Sequence, residues 1–375
     1  MDADQLTRRG FLKGAGIAAG AVMAGPLLDA CGATVTPTAS PSQSPSPHGR
    51  LPVTSKQLIF ADFGGSFHDA RRQVYLDPFE REYGVSVIST VINSDLYAKF
   101  VEGARTGKPT YDMWDANAQE CINLVDQGLV QKLPPAVTRT DAVTPAKYRE
   151  YCAGGYSYSI GMAFKRDSFG GRQPQTYADF FDTQRFPGKR STIKGPMYMA
   201  EIALLADGVP ADKLFPLDFE RAFAKLAQLK GDLLFFPTYD VGLQYLTQGA
   251  ATIVITSNAR AQALLNKGEN AVFQFNQALI YNWSGMPVPN GAPHADAMFA
   301  LLDFMDQPER QAAFSKVYPY GPSNPKAIPL IDDATLKILP NSPEHLRIGV
   351  VEDLLSLTRQ DDAYRAAANK FFTGT

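Results

Sequence analysis

LLFFPTYDVGLQYLTQGAATIVITSNARAQALLN, residues 233–266, sets the fold class. Leu233–Phe236 is a short apolar run closed by Pro237, and Val241–Thr247 carries apolar residues at helical spacing. Ala251–Thr256 and Ala259–Leu265 repeat the pair. Short apolar runs bounded by turn residues and separated by amphipathic stretches predict parallel sheets covered by helices on both faces. Upstream the pattern predicts strand Leu58–Ala61, a helix from Ser66 to Tyr83, strand Ser86–Val91, helix Ser94–Ala104, strand Tyr111–Ala116 and helix Gln119–Gln127. After an apolar run at Ser157–Phe164 it resumes with strand Ser191–Ile193 and helix Tyr198–Ala206. The C-terminal third ends in helices predicted at His294–Met305, Pro308–Tyr318 and Pro343–Ala368. The class is α/β. In such sheets ligands bind outside the carboxyl ends of the strands. That rule singles out the corners Asp62–Phe67, Asp115–Gln119, Lys194–Tyr198 and Thr256–Arg260, which one cleft between two lobes would gather.

The N-terminus is organised differently. Arg8 and Arg9 precede a weakly apolar stretch, Gly14–Leu28, shorter than the roughly 20 residues a membrane span needs. A charged head and an apolar middle read as an export signal. The pattern resembles a twin-arginine signal, and Leu28-Asp29-Ala30-Cys31 resembles a lipobox, which implies acylation of Cys31. Asp29 departs from the small neutral residue usual there; a signal cut nearby, with Cys31 an ordinary thiol, is the alternative. Residues 1–31 thus read as signal and lipobox, and residues 32–55, dominated by Pro, Ser and Thr, as a disordered tether.

Roughly 320 residues remain, enough for two ordinary domains. With 36 basic and 38 acidic residues the net charge is −2, and nothing argues for a nucleic-acid partner. The four histidines form no HExxH pattern, and GxSxG and GxxxxGK are absent. The chain therefore reads as no enzyme, with no cofactor and no metal. Cys121 and Cys152 could pair in an oxidising compartment or remain buried free thiols.

Five stretches carry a resemblance: ADFGGSF (61–67), LDPFEREYGVSV (76–87), YDMWDANAQECINLVDQGLVQKL (111–133), FNQALIYNWSGMPVPNGAPHADAMFALLDFM (275–305) and ERQAAFSKVYPYGPSNPKA (309–327). From about Leu58 to Pro343 the chain resembles the bacterial solute-binding proteins of ABC importers, in the family of the spermidine/putrescine-binding proteins. The resemblance implies a two-lobed, type II periplasmic-binding-protein (Venus-flytrap) fold with a hinge. Lobe one would comprise residues 56–158 and 285–318, and lobe two residues 159–284 and 319–375. It implies capture of a small polar solute by hinge closure and delivery to an ABC permease and its ATPase. The protein would be an exported monomer, held to the outer face of the cytoplasmic membrane by its lipid anchor only.

Candidate ligand contacts follow from the corners and the resemblance. Phe63, Gly65 and Ser66 stand at the first corner, and Asp115 and Asn117 at the third-strand corner. Tyr158 shares a strand face with Tyr156, and Tyr198 opens a helix. Arg260 lies at the end of an apolar strand, where a guanidinium suits a carboxylate. Asn276, Trp283 and Tyr320 complete the set. Each aromatic could equally be core, Ser66 a helix cap, and Arg260 half of a salt bridge. The acidic positions with which polyamine binders meet amines fall near Lys194-Gly195, Tyr198 and Ser284, none of them acidic. The expected solute is therefore an amino-carboxylate or another non-polyamine, met by Arg260 or Lys194. A ferric-ion-binding protein of the same fold, using Tyr156/Tyr158 or Tyr318/Tyr320, and a secreted hydrolase are the alternatives.

Overall fold

The computed structural model describes residues 50–374 apart from Asn93, Arg139 and Ala142. Arg8, Arg9, Cys31 and the tether up to residue 49 lie outside the described residues.

In the first half, strands β1 (Gln57–Asp62) and β2 (Ser86–Val91) pair in parallel. The helix expected between them forms in three pieces, Gly65–Arg71, a π-helical turn Arg72–Leu76, and Asp77–Tyr83. The wider turn falls just ahead of Pro78, which has no N–H to continue an α-helical ladder. The expected strand 111–116 runs beside β1 but forms no regular ladder there. Asp112 N donates to Ile59 O at 3.0 Å and Asp115 N to Ala61 O at 3.2 Å. The buried Asp112 carboxylate interrupts the ladder by accepting from Ile59 N at 2.7 Å and from His294 N at 2.8 Å. Strand β3 (Ala116–Asn117) pairs with a later segment rather than with β1.

Among the described residues the second half holds a sheet of β4 (Tyr156–Lys165), β5 (Arg190–Ile193), β6 (Leu233–Phe236), β7 (Ile253–Ser257), β8 (Ala271–Tyr281), β10 (Gly321–Pro322) and β11 (Val350–Val351); β9 (Ser284–Gly285) pairs with β3. The expected parallel order holds for β5 with β6 and with β7. It fails at the centre, where β4 runs antiparallel to both β7 and β8. The chain enters β4 directly from the first half, without the helical crossover that parallel neighbours require. Strand β8 escaped prediction because Gln274, Asn276 and Gln277 break its apolar run. The expected Pro343–Ala368 helix forms in three pieces, Pro343–Ile348, Leu354–Arg359 and Asp361–Thr373, with β11 between the first two and Gln360 between the last two.

The end of the expected tether is docked. Leu51 and Val53 pack partly buried against the core, and Asp296 accepts from Thr54 N at 2.7 Å and Ser55 N at 3.1 Å. Cys121 and Cys152 are free, buried thiols, and Trp114 packs in the core against Tyr97 and Phe100. No described helix is long and apolar enough to cross a membrane.

Candidate functional site

Three passages of chain link the sheets: Gly155–Tyr158, Tyr281–Ser284 and Tyr318–Gly321. They lie together. Tyr156 N donates to Ser284 Oγ at 3.0 Å, Ser284 Oγ donates to Tyr156 O at 3.0 Å, and β10 pairs with the start of β4. Asn258 joins the third passage to β4, donating from Nδ2 to Pro319 O at 2.6 Å and accepting from Ser159 N at 3.2 Å.

Rings fill this junction. Tyr156 stacks on Tyr320 with centroids 4.9 Å apart, and Tyr158 on Tyr281 at 4.8 Å and 4°. Tyr198 meets Tyr281 edge-on at 5.7 Å, and its hydroxyl lies 3.1 Å from that of Tyr239. Burial pushes the hydroxyls of Tyr158, Tyr198, Tyr281 and Tyr320 well above their ordinary range, so they stay protonated donors. Tyr198 has φ +66°, which a bulky residue adopts only under strain, and such strain concentrates at functional sites.

One cation sits at each side of the rings. On the first-sheet side Arg71 is buried, donating from Nη1 to Asp115 Oδ2 at 2.8 Å, with Asp62 Oδ2 at 3.8 Å. The Tyr156 hydroxyl donates to Asp115 Oδ1 at 3.1 Å, and His68 Nδ1 lies 2.9 Å from Asp62 Oδ2. Burial raises the Asp115 carboxyl to about 6 although Arg71 pulls it down. On the second-sheet side Arg260 is 4% exposed, with its guanidinium carbon 5.0 Å from the Tyr239 ring centre. Its Nη1 donates to Asp240 Oδ1 at 2.9 Å. Burial opposes its charge, and Tyr318, Tyr320 and Asp240 more than offset that, so its proton is held more tightly than usual.

The two sides touch at Gly64-Gly65, which have φ +63° and +59°. A Cβ at Gly64 would lie 2.8 Å from Val91 Cγ2, and one at Gly65 would lie 2.7 Å from Asp240 Oδ2. Both the backbone conformation and the close approach require glycine.

The predicted residues divide accordingly. Gly65, Tyr158, Tyr198, Arg260 and Tyr320 meet at the junction, with Phe63 partly exposed beside Phe67 at 6.3 Å. Ser66 is half-buried next to Gly65. Asp115 is there but committed to Arg71 and Tyr156. Asn117 is spent as a helix cap, accepting from Glu120 N at 2.9 Å. Asn276 donates to Gln175 O at 3.0 Å, five residues along β8 from Tyr281, roughly 16 Å of strand. Trp283 stacks on Tyr148 at 6.1 Å, behind the passages. Lys194 is exposed with its ammonium 5.7 Å from the Phe372 ring, away from Arg260's partners. The sequence reading missed Arg71, Tyr239 and Asp240. The last two follow β6, a strand-end corner that the same crevice rule would have flagged.

Beneath Tyr281 lies a buried acid pair. Glu201 Oε2 accepts from the Tyr364 hydroxyl at 2.9 Å, and the carboxylate oxygens of Glu352 have no hydrogen-bond partner among the described residues. Burial raises both carboxyls, and Glu201 further raises Glu352. Tyr177, Tyr281, Tyr364 and Asp353 are the other titratable groups coupled to them. A carboxyl raised in the folded state binds a proton that the unfolded chain releases near its ordinary value of 4.5. The folded state then holds more protons, so stability is full below that value and falls as pH rises above it. Denaturation midpoints are expected to drop between pH 5 and 8, and Glu352→Gln to flatten the drop. An unchanged slope in the variant would clear the pair of responsibility.

Strand ends from both sheets thus meet at one tyrosine-lined seam with an arginine on either side, and in α/β folds the region outside the carboxyl ends of the strands is where ligands bind. The chain belongs to the bacterial extracellular solute-binding protein family, whose model matches residues 75–341. It is 32% identical over 298 residues, 78% of this chain and 84% of the relative, to the gamma-aminobutyric acid-binding protein of Pseudomonas aeruginosa. Among solved structures it is similar to an ABC transporter substrate-binding protein from Bradyrhizobium japonicum USDA 110 (28% identity, TM-score 0.77, 84% of this chain and 99% of that one). It is also similar to the PBP AgtB from A. tumefaciens R10 in complex with agropinic acid (29% identity, TM-score 0.77, 85% and 99%). The protein is therefore an exported solute-binding component of an ABC importer, with the periplasmic-binding-protein fold and a permease as its downstream partner.

Proposed function

We propose that the solute is a small amino-carboxylate of the 4-aminobutanoate or opine kind, held between lobes 56–158 plus 285–318 and 159–284 plus 319–375. Its carboxylate meets Arg260, and its ammonium lies against the faces of Tyr158, Tyr198 and Tyr281, where ring quadrupoles attract a cation. The observation that carries this reading is the burial of Arg260 among tyrosine hydroxyls at the junction. A fixed guanidinium there favours an anion and repels a polyamine. The relatives' solutes support it, since gamma-aminobutyric acid and agropinic acid both carry a carboxylate. The protein works as a monomer without enzymatic activity. It is sent out by the Arg8-Arg9 signal and anchored through acylated Cys31, and it passes its solute to the permease on lobe closure. Calorimetric titration is expected to give saturable binding of 4-aminobutanoate and no binding of putrescine or spermidine. Micromolar spermidine binding with no response to amino-carboxylates would overturn the reading.

A further inference from the structure

We infer that Asp240 is a built-in stand-in for the solute's carboxylate, so that capture proceeds by exchange of one carboxylate for another on Arg260. The inference rests on Arg260 being the carboxylate anchor. The two partners of the pair are unequal. The Arg260 side chain is 5% exposed and fixed against Tyr239, whereas that of Asp240 is 56% exposed. A buried guanidinium without an anion is costly, while a carboxylate on the rim can turn into water at little cost. Of the two, Asp240 is the one free to leave.

Its position is also shared between the halves. Oδ1 takes the Arg260 hydrogen bond, and Oδ2 lies against Gly65, where a Cβ would approach it to 2.7 Å. The carboxylate therefore occupies the gap between the arginine of one half and the glycine turn of the other. A solute carboxylate bound to Arg260 would enter that gap. Asp240 thereby sets selectivity: a weak anion fails to displace it, and a solute with a second anchoring group succeeds. An internal pair present about nine-tenths of the time lowers apparent affinity about tenfold.

The test compares wild type with Asp240→Asn, Asp240→Ala and Asp240→Glu. Titration with 4-aminobutanoate is expected to show about five- to tenfold tighter binding in Asn and Ala, with Glu near wild type because it keeps the carboxylate. Sodium acetate alone, against sodium chloride at equal ionic strength, is expected to raise the melting temperature of Asn and Ala but not of wild type or Glu. Weaker 4-aminobutanoate binding in Asn and Ala would instead make Asp240 a partner of the ammonium and overturn the inference, as would equal acetate responses in all four proteins. If wild type binds no amino-carboxylate, the proposed function fails while the acetate comparison still decides the role of Asp240.

Discussion

Replacing Arg260 with methionine is expected to weaken amino-carboxylate binding by about two to three orders of magnitude while leaving the protein folded. The magnitude follows from what is lost. Truncating one partner of a buried, hydrogen-bonded charge pair costs roughly 2–5 kcal/mol, and each 1.4 kcal/mol is tenfold. The middle of that range, about 3–4 kcal/mol, applies because Arg260 is almost wholly buried and packs over the Tyr239 ring rather than in water. The fold should survive for a separate reason. Methionine fills similar space beside the Tyr239 ring, and the partner left behind, Asp240, is 56% exposed and can hydrate. Arg260→Lys keeps the charge but not the planar fork, so an intermediate loss is expected. Calorimetry with 4-aminobutanoate, alongside circular dichroism and melting temperature, separates loss of the anchor from loss of the fold. Binding retained within about threefold in the folded methionine variant would remove Arg260 from the site.

Much of this site is legible in the sequence because strand-to-helix corners are local features. The apolar run ending at Thr256, followed by Ser257-Asn258-Ala259-Arg260, places Arg260 at a helix start without any knowledge of its neighbours, and the structure puts it in the first turn of helix Asn258–Asn266. What the sequence withholds is pairing across long separations. Asp115 reads as a free carboxylate at a corner until Arg71, 44 residues earlier, is seen to bind it. Asn117 reads as a ligand contact until its capping box with Glu120 is closed in space, although Glu three residues after Asn is itself a capping signature. The antiparallel β4 was hidden because its ten residues are almost all buried and their direction depends on where the chain enters the sheet. Asn276 reads as a site residue from its place in the segment leading back to the first lobe, and Gln277 with φ +61° and the register shift opposite it show that β8 is not a simple ladder there.

Replacement of Arg71 by methionine is expected to cost about 3–5 kcal/mol of stability at pH 8, the cost of leaving buried carboxylates without their cation. Asp62 and Asp115 are 1% and 0% exposed, so neither can recruit water as Asp240 can. Arg71 itself has only one arm hydrogen-bonded; Nε and Nη2 face aromatic rings, the guanidinium carbon lying 4.1 Å from the Phe67 centre and 5.5 Å from that of Tyr156. Removing it should therefore also loosen the Tyr156–Tyr320 stack, because Tyr156 is positioned through Asp115. The loss should depend on pH with a definite sign. Asp115 already titrates near 6 with Arg71 present; without that cation its carboxyl moves further up, the folded state binds the proton more tightly, and stability falls as pH rises. Arg71→Met should accordingly be milder at pH 5 than at pH 8. The double variant Arg71→Met/Asp115→Asn should recover part of the loss at pH 8, because it removes the stranded charge along with its partner. Urea midpoints for wild type, the single variant and the double variant at both pH values provide the measurement. A single variant as stable as wild type at pH 8 would mean that the buried pair adds nothing to folding, and that Asp115 is held in place by Tyr156 alone.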